Sequence, residues 1–79
     1  MRLDKYLKVS RIIKRRTVAN EACDAGRVMV NGRVAKASVE VKEGDILEIQ
    51  FGTKPVKVEI ISVKETVKKD EAKEMFKYI

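Results

Sequence analysis

The dipeptide Asn31-Gly32 is the feature that most restricts how this chain can fold. It stands between two short β-prone segments, VMV at 28–30 and RVA at 33–35. Both residues tolerate a positive φ, which a type I′ turn requires at its two central positions. The sequence therefore predicts a tight antiparallel hairpin.

Two further strands are predicted after this hairpin. The segment ILEIQF at 46–51 alternates in side-chain character, as does the first half of VKVEIISV at 56–63. A turn sequence precedes each of them, KEGD at 42–45 and GTKP at 52–55. Together these segments predict a small, mostly antiparallel, twisted sheet.

The start of the chain has the apolar spacing of an amphipathic helix, from Arg2 to about Ile13. Thr17 has the position and chemistry of an N-cap for a second helix, which runs to about Ala25. Gly26 follows as the residue that closes that helix in a left-handed conformation. The predicted buried face of the first helix comprises Leu3, Tyr6, Leu7, Val9, Ser10 and Ile13, and the opposite face Asp4, Lys5, Lys8, Arg11 and Arg15.

The last residues, from Asp70, predict a third and short helix. Their apolar side chains recur at i, i+3, i+4 and i+7, the spacing of one helix face, at Ala72, Met75, Phe76 and Ile79. The expected fold class is therefore α+β. Two N-terminal helices pack on the sheet, and a short helix ends the chain.

Positive charge is concentrated in the first part of the chain. The net charge is +6, yet residues 1–36 carry ten Lys or Arg and three acids, whereas residues 37–79 carry eight and nine. Such asymmetry makes a directional field, and nucleic acid is the commonest polyanion that meets one. An anionic membrane is the other candidate from charge alone.

Several chemistries are excluded by composition. Cys23 is the only cysteine and there is no histidine, so a Cys/His zinc site and the usual base for Ser or Cys catalysis are both missing. Cys23 is predicted to be a small buried residue. We expect no catalytic residue, metal or cofactor, and no enzyme. No stretch resembles a signal peptide or a membrane span, so a cytoplasmic protein without membrane contact is expected.

The candidate nucleic-acid contacts lie mainly on the first helix and the turn that follows it. Arg16 is the strongest, because its guanidinium and the amides at the start of the second helix could hold the same phosphate. Asp4 is interpreted as stabilising the first helical turn or pairing with a nearby Arg, and it is also placed to reach Lys8. The complete candidate set is Arg2, Lys5, Lys8, Arg11, Lys14, Arg15, Arg16, Thr17, Arg27 and Arg33.

Three segments in this order resemble a known family. RLDKYL at 2–7, KRRTVA at 14–19 and GRVMVNGRVAKASVEVKEGDIL at 26–47 are similar to the RNA-binding domain first described in the fourth protein of the small ribosomal subunit. The resemblance covers about 1–49. We therefore expect 1–79 to be a single RNA-binding domain, with an extra strand and the C-terminal helix in 50–79.

Within that family the chain is most similar to stand-alone bacterial members of ribosome quality control, the RqcP type, and is related to a small ribosome-associated heat-shock protein. The resemblance implies binding to rRNA of the large ribosomal subunit and to peptidyl-tRNA, beside an RqcH-type tailing factor that extends stalled chains. It implies stabilisation of peptidyl-tRNA during that tailing. A monomer is expected.

Two other functions stay open at this point. One is a heat-shock-type ribosome rescue factor. The other is a DNA-binding helix-turn-helix module, although the predicted second helix, TVANEACDA, has no Lys or Arg and would read a major groove poorly. An accessory domain of an RNA-modifying enzyme is disfavoured, because the sequence shows no set of acid, base and nucleophile.

Overall fold

The computed structural model describes residues 1–65 and 67–79 and confirms an α+β fold. Five antiparallel strands form one sheet in the order β2-β1-β3-β4-β5. The elements are α1 Leu3–Val9, α2 Arg16–Asp24, β1 Val28–Val30, β2 Arg33–Val34, β3 Ile46–Phe51, β4 Lys54–Ile60, a 3₁₀ turn Ala72–Glu74 and β5 Phe76–Tyr78.

The predicted hairpin is confirmed. Asn31 has φ 51° and Gly32 has φ 82°, the two positive values that a type I′ turn needs. The Asn31 side chain also donates to Asp45 Oδ1 at 3.1 Å, and its Oδ1 accepts the Ile46 amide at 2.9 Å. The hairpin tip is thus tied to the turn before β3.

Replacement of Gly32 by Val is expected to lower the free energy of unfolding by about 1–3 kcal/mol, because a β-branched residue resists a positive φ. A Cβ at this position would meet no atom within 4 Å, so the loss is conformational and not a clash. Thermal melting followed by circular dichroism measures it. Gly32→Asn is the matched control, since Asn tolerates this conformation. Equal midpoints for the two variants would contradict the explanation.

The helices cover one face of the sheet and enclose an aliphatic core. Leu3, Tyr6 and Leu7 of α1 are fully buried, as are Leu47, Ile49 and Val58 of the sheet. Residues of α2 that face the core are small, Ala19 and Cys23, which is how a nine-residue helix packs closely against α1.

The first helix is shorter than predicted and ends at Val9, not near Ile13. Ser10 closes it, and Arg11 then adopts a left-handed conformation with φ 63°. Ile13 is nevertheless buried, and its amide bonds back to the Leu7 carbonyl at 3.0 Å. The predicted apolar set therefore faces the core although its last members lie in a turn and not in a helix.

The predicted cap of the second helix is wrong, whereas its predicted end is correct. The helix begins at Arg16 and its N-cap residue is Arg15, so Thr17 lies inside the first turn. At the other end Gly26 has φ 76°. Its amide bonds to the Cys23 carbonyl and the Arg27 amide bonds to the Ala22 carbonyl, the pattern of a Schellman motif.

The prediction of a C-terminal α-helix is wrong beyond the single 3₁₀ turn. Phe76–Tyr78 instead pairs with β4, with Tyr78 opposite Val58 and Phe76 opposite Ile60. The aromatic residues favour a strand, and pairing with the free side of β4 overrides weak helical spacing. Met75 is buried as predicted, whereas Ile79 is exposed.

The start of β4 also differs from prediction. The turn after β3 is confined to 52–53, and β4 begins at Lys54 rather than at Val56. Pro55 consequently lies within the strand, opposite Gln50. The Gln50 amide bonds to the Arg27 carbonyl on the other side, so the missing proline donor interrupts no bond at this pair.

Candidate nucleic-acid interface

Three of the predicted cations meet in one concavity on the protein surface. Lys8 projects from the last turn of α1, and Arg11 and Lys14 come from the segment between the helices. We call this concavity the basic groove, and its lining residues are Lys8, Val9, Arg11, Lys14, Glu65 and Val67. None of its three cations forms an ion pair with another described residue. Their charges are therefore available to an anionic ligand.

The left-handed backbone at Arg11 is what turns the chain between the helices. This position follows the helix C-cap, where glycine is the usual residue because it has no Cβ. Here an arginine occupies it, with its amide bonded to the Lys8 carbonyl at 3.1 Å. The chain thus places a cation in the groove at some expense in backbone strain, as is common at functional sites.

Arg11→Gly is expected to melt about 5 °C higher than Arg11→Ala, because glycine relieves about 1 kcal/mol of strain that alanine retains. Both variants lose the same cation, so both should bind RNA more weakly than the unchanged protein. Calorimetric melting and an RNA titration on the same two variants check these effects. Equal melting temperatures for Gly and Ala would show that Arg11 is unstrained.

Asp4 is the buried centre of a second cluster. Its side chain is 2% exposed and accepts from Arg2 Nε at 3.2 Å, from Arg16 Nε at 3.3 Å and from Asn20 Nδ2 at 3.3 Å. The Lys5 amide adds a bond of 2.8 Å. The predicted pairing of Asp4 with an arginine is confirmed. Its placement beside Lys8 on the cationic face is wrong, because the carboxylate points between the two helices.

The pKa of the Asp4 carboxyl is the result of opposing effects. Burial raises it, but the hydrogen bonds from Arg16, Asn20 and the Lys5 amide, together with the Arg16 charge, outweigh burial and leave the pKa below its ordinary value of 3.8. The group is therefore ionised at neutral pH. It holds the guanidinium groups of Arg2 and Arg16 in fixed positions at the starts of α1 and α2.

Arg16 remains able to bind a ligand while it pairs with Asp4. Its side chain is 48% exposed, and its bond to Asp4 uses Nε, which leaves the two terminal nitrogens. Arg16 and Thr17 line a second shallow concavity with Asp4, Asn20 and Glu21. We call it the Arg16 site. A phosphate there would meet the guanidinium, the Thr17 hydroxyl and the first-turn amides of α2.

The other predicted cations are distributed less tightly. Lys5 pairs with Glu65, and Arg15 is exposed as the N-cap residue of α2. Arg27 is exposed just beyond the end of α2, and Arg33 is exposed on the edge strand β2. Neither Arg27 nor Arg33 is among the lining residues of the basic groove or of the Arg16 site.

Sequence reasoning missed the acidic and apolar walls of the basic groove. Glu65 and Val67 are more than fifty residues from Lys8, and nothing local marks them as its neighbours. Asn20 was also missed, because the sequence does not show that α2 approaches Asp4. A signal for Asn20 existed in hindsight: it lies one helical turn after Arg16, on the side of α2 that faces Asp4.

The part of the chain that the structure describes gives little support for a membrane span, a metal site or a reactive cysteine. There, no helix is long and apolar enough to cross a bilayer, and no cluster of three or more His, Cys, Asp or Glu side chains could hold a metal ion. The Cys23 thiol is buried, as predicted. Burial is the main effect that raises its pKa to about 11, so it is a neutral packing group.

Comparisons with known proteins find a matching family model and similar proteins. The family model described as S4 domain matches residues 1–47. The chain is 64% identical to the RQC P-site tRNA stabilizing factor of Halalkalibacterium halodurans over 96% of its own length and 86% of that protein. It is 57% identical to the Bacillus subtilis protein of the same name, over 96% of its length and 88% of that protein.

A solved structure shares the fold. The trimeric structure of Vibrio cholerae heat shock protein 15 superimposes with a TM-score of 0.92 and 28% sequence identity, over 100% of this chain and 81% of the other. The chain therefore shares the arrangement of its two helices and five-stranded sheet with that protein.

Proposed function

The chain belongs to the S4 domain family and, within it, to the RQC P-site tRNA stabilizing factors, and on that basis we propose that it binds large-subunit rRNA and peptidyl-tRNA without catalysis. In this role it stabilises peptidyl-tRNA while stalled chains are tailed. The observation that carries the proposal is the basic groove, where Lys8, Arg11 and Lys14 converge and none of the three forms an ion pair with a described residue.

Electrostatics explains why such a groove binds RNA. Like charges held close together repel one another, and phosphates relieve that repulsion while they release condensed counterions. The helix that carries Lys8 is also tied to a distant part of the chain, because buried Tyr6 donates its hydroxyl to the Met75 carbonyl at 2.9 Å. That bond joins α1 to the C-terminal segment. The cations of such a surface respond to the shape and the phosphate positions of structured RNA.

Two separate cationic sites suit a factor that holds two RNA molecules. The basic groove and the Arg16 site have no lining residue in common, so each can contact its own phosphate strand. We infer that one contacts rRNA and the other tRNA. Arg2 and Thr17 belong to the second contact, and Arg15, Arg27 and Arg33 extend the surface. Residues 1–79 act in this account as one RNA-binding domain.

The remaining partners are part of the same proposal. An RqcH-type tailing factor would act on the peptidyl-tRNA that this protein holds, and the protein would work as a monomer in the cytoplasm. A helix-turn-helix role on DNA is disfavoured by α2, which spans nine residues with one cation, Arg16, and two acids, Glu21 and Asp24. That helix could not neutralise a DNA groove.

Sedimentation with purified large ribosomal subunits tests the proposal. Subunits that carry peptidyl-tRNA in the P site should retain the protein more strongly than empty subunits, and both should retain it more strongly than duplex DNA does at the same salt concentration. Equal binding to empty and occupied subunits would remove the tRNA role and favour a general ribosome-binding function. Equal binding to duplex DNA and to the subunits would show that the protein has no preference for RNA.

A further inference from the structure

The basic groove contains a carboxylate and two valines, which phosphate binding alone does not require. Glu65, Val9 and Val67 line it together with the three cations. A carboxylate repels a phosphate, so a surface that contacted only the RNA backbone would gain nothing from Glu65. The groove has instead the three parts that a nucleotide needs: cations for its phosphate, apolar contacts for its base and an acceptor for its donor groups.

Glu65 is oriented by a single bond that leaves half of its carboxylate free. Lys5 Nζ donates to Oε2, and Oε1 is not engaged in any hydrogen bond among the described residues. The hydrogen bond from Lys5, reinforced by the lysine charge, lowers the pKa of the Glu65 carboxyl. An ionised carboxylate accepts hydrogen bonds and donates none, and its two oxygens offer about four acceptor positions. The side chain is 70% exposed, so a ligand can reach it.

We propose that the basic groove receives one unpaired guanine nucleotide of the bound RNA, with its phosphate on Lys8, Arg11 and Lys14 and its base edge on Glu65. This inference rests on the proposed function and names what the groove recognises. The nucleotide must be unpaired, because in a double helix its partner base occupies the pairing edge that Glu65 would contact. RNA-binding proteins read such edges mainly in loops and bulges.

The choice of guanine follows from the donor pattern of the bases. Guanine presents the adjacent donors N1–H and N2–H to one side, and a carboxylate can accept both. Cytosine offers its amino group beside an acceptor nitrogen, and adenine does the same. Uracil has one donor between two carbonyl oxygens that would face the carboxylate. Glu65 therefore attracts guanine and is in part repelled by the other three bases.

Fluorescence titration with four RNA hairpins tests the inference. The hairpins are identical except for a single bulged nucleotide, which is G, A, C or U. The unchanged protein should bind the G hairpin about 5- to 150-fold more tightly than the A, C or U hairpins, which is the discrimination that a good bidentate contact gives. Glu65→Gln should remove most of this preference. Glu43→Gln, in an exposed turn, changes the net charge equally and should preserve it.

The sign of the Glu65→Gln effect separates two explanations. If Glu65 recognises guanine, the variant binds the G hairpin more weakly. If Glu65 only repels RNA, the variant binds all four hairpins more tightly by the same factor, and the inference is overturned. It is also overturned if the unchanged protein shows no base preference while it still binds RNA, a result that leaves the proposed function intact. Failure to bind any of the hairpins or rRNA would overturn both.

Discussion

Simultaneous replacement of Lys8, Arg11 and Lys14 by Gln is expected to weaken binding to large-subunit rRNA by at least about 100-fold at physiological salt. Each charge-assisted contact contributes about 1.5–3 kcal/mol, and a combined loss of only about 3 kcal/mol already gives that factor. The three residues line one groove, so their losses fall on one contact with the RNA. Fluorescence anisotropy with a labelled rRNA fragment measures the change.

The matched control replaces Lys54, Lys69 and Lys73 by Gln. These lysines are exposed and lie outside the groove, and their replacement removes the same number of positive charges. The affinity of the control variant for the rRNA fragment should fall by less than about 10-fold, because these replacements change only the long-range electrostatic field of the protein. Circular dichroism should show both triple variants folded. Equal losses in the two would mean that the RNA responds to net charge and not to the groove.

Asp4→Ala is expected to lower the free energy of unfolding at neutral pH by about 2–3 kcal/mol. The carboxylate is buried and accepts from Arg2, Arg16 and Asn20, and loss of such a partner usually costs about 3–5 kcal/mol. The expected loss is smaller than this here because both arginines are about half exposed and can be rehydrated. In a domain of this size that is a large share of the total stability. Urea denaturation measures it.

The same variant should change how stability depends on pH. Because the pKa of Asp4 is lowered on folding, its contribution is present above the unfolded value of about 4 and is lost as pH falls through the lower folded value. The stability of the unchanged protein should therefore fall below about pH 4, whereas Asp4→Ala lacks this part of the fall. If the difference between the two proteins stayed constant from pH 7 to pH 2, the Asp4 cluster would not be the source.

The two turn signals that contain glycine predicted local structure correctly. The hairpin followed from Asn31-Gly32 and the end of α2 followed from Gly26, because Gly and Asn adopt a positive φ more readily than other residues. The C-terminal strand could not be predicted in this way. Its pairing partner is β4, about twenty residues earlier, and the spacing of Ala72, Met75 and Phe76 fits a helix equally well.

The site was predicted in part, for the same physical reason. The cations of the basic groove are near one another in sequence, so their density was visible before the fold was known. The role of Asp4 depends on the approach of α2 to α1, which places Arg16 beside it. A helical projection of the first segment alone put Asp4 among the cations. Glu65 pairs with Lys5, which is sixty positions away in the sequence. Nothing in the sequence near either residue predicts this contact.

The salt dependence of RNA binding tests whether RNA phosphates bind at the N-terminal cations. The seven cations from Arg2 to Arg16 are offset by two carboxylates, Asp4 and Glu65, so our proposal places about five net positive charges against the RNA. Counterion release then predicts a slope of log K against log salt of about −3.5 to −4.5 between about 50 and 200 mM. The Lys8, Arg11 and Lys14 triple variant should make that slope shallower by about 2–3. A flat dependence, or an equal change in the Lys54, Lys69 and Lys73 variant, would contradict the account.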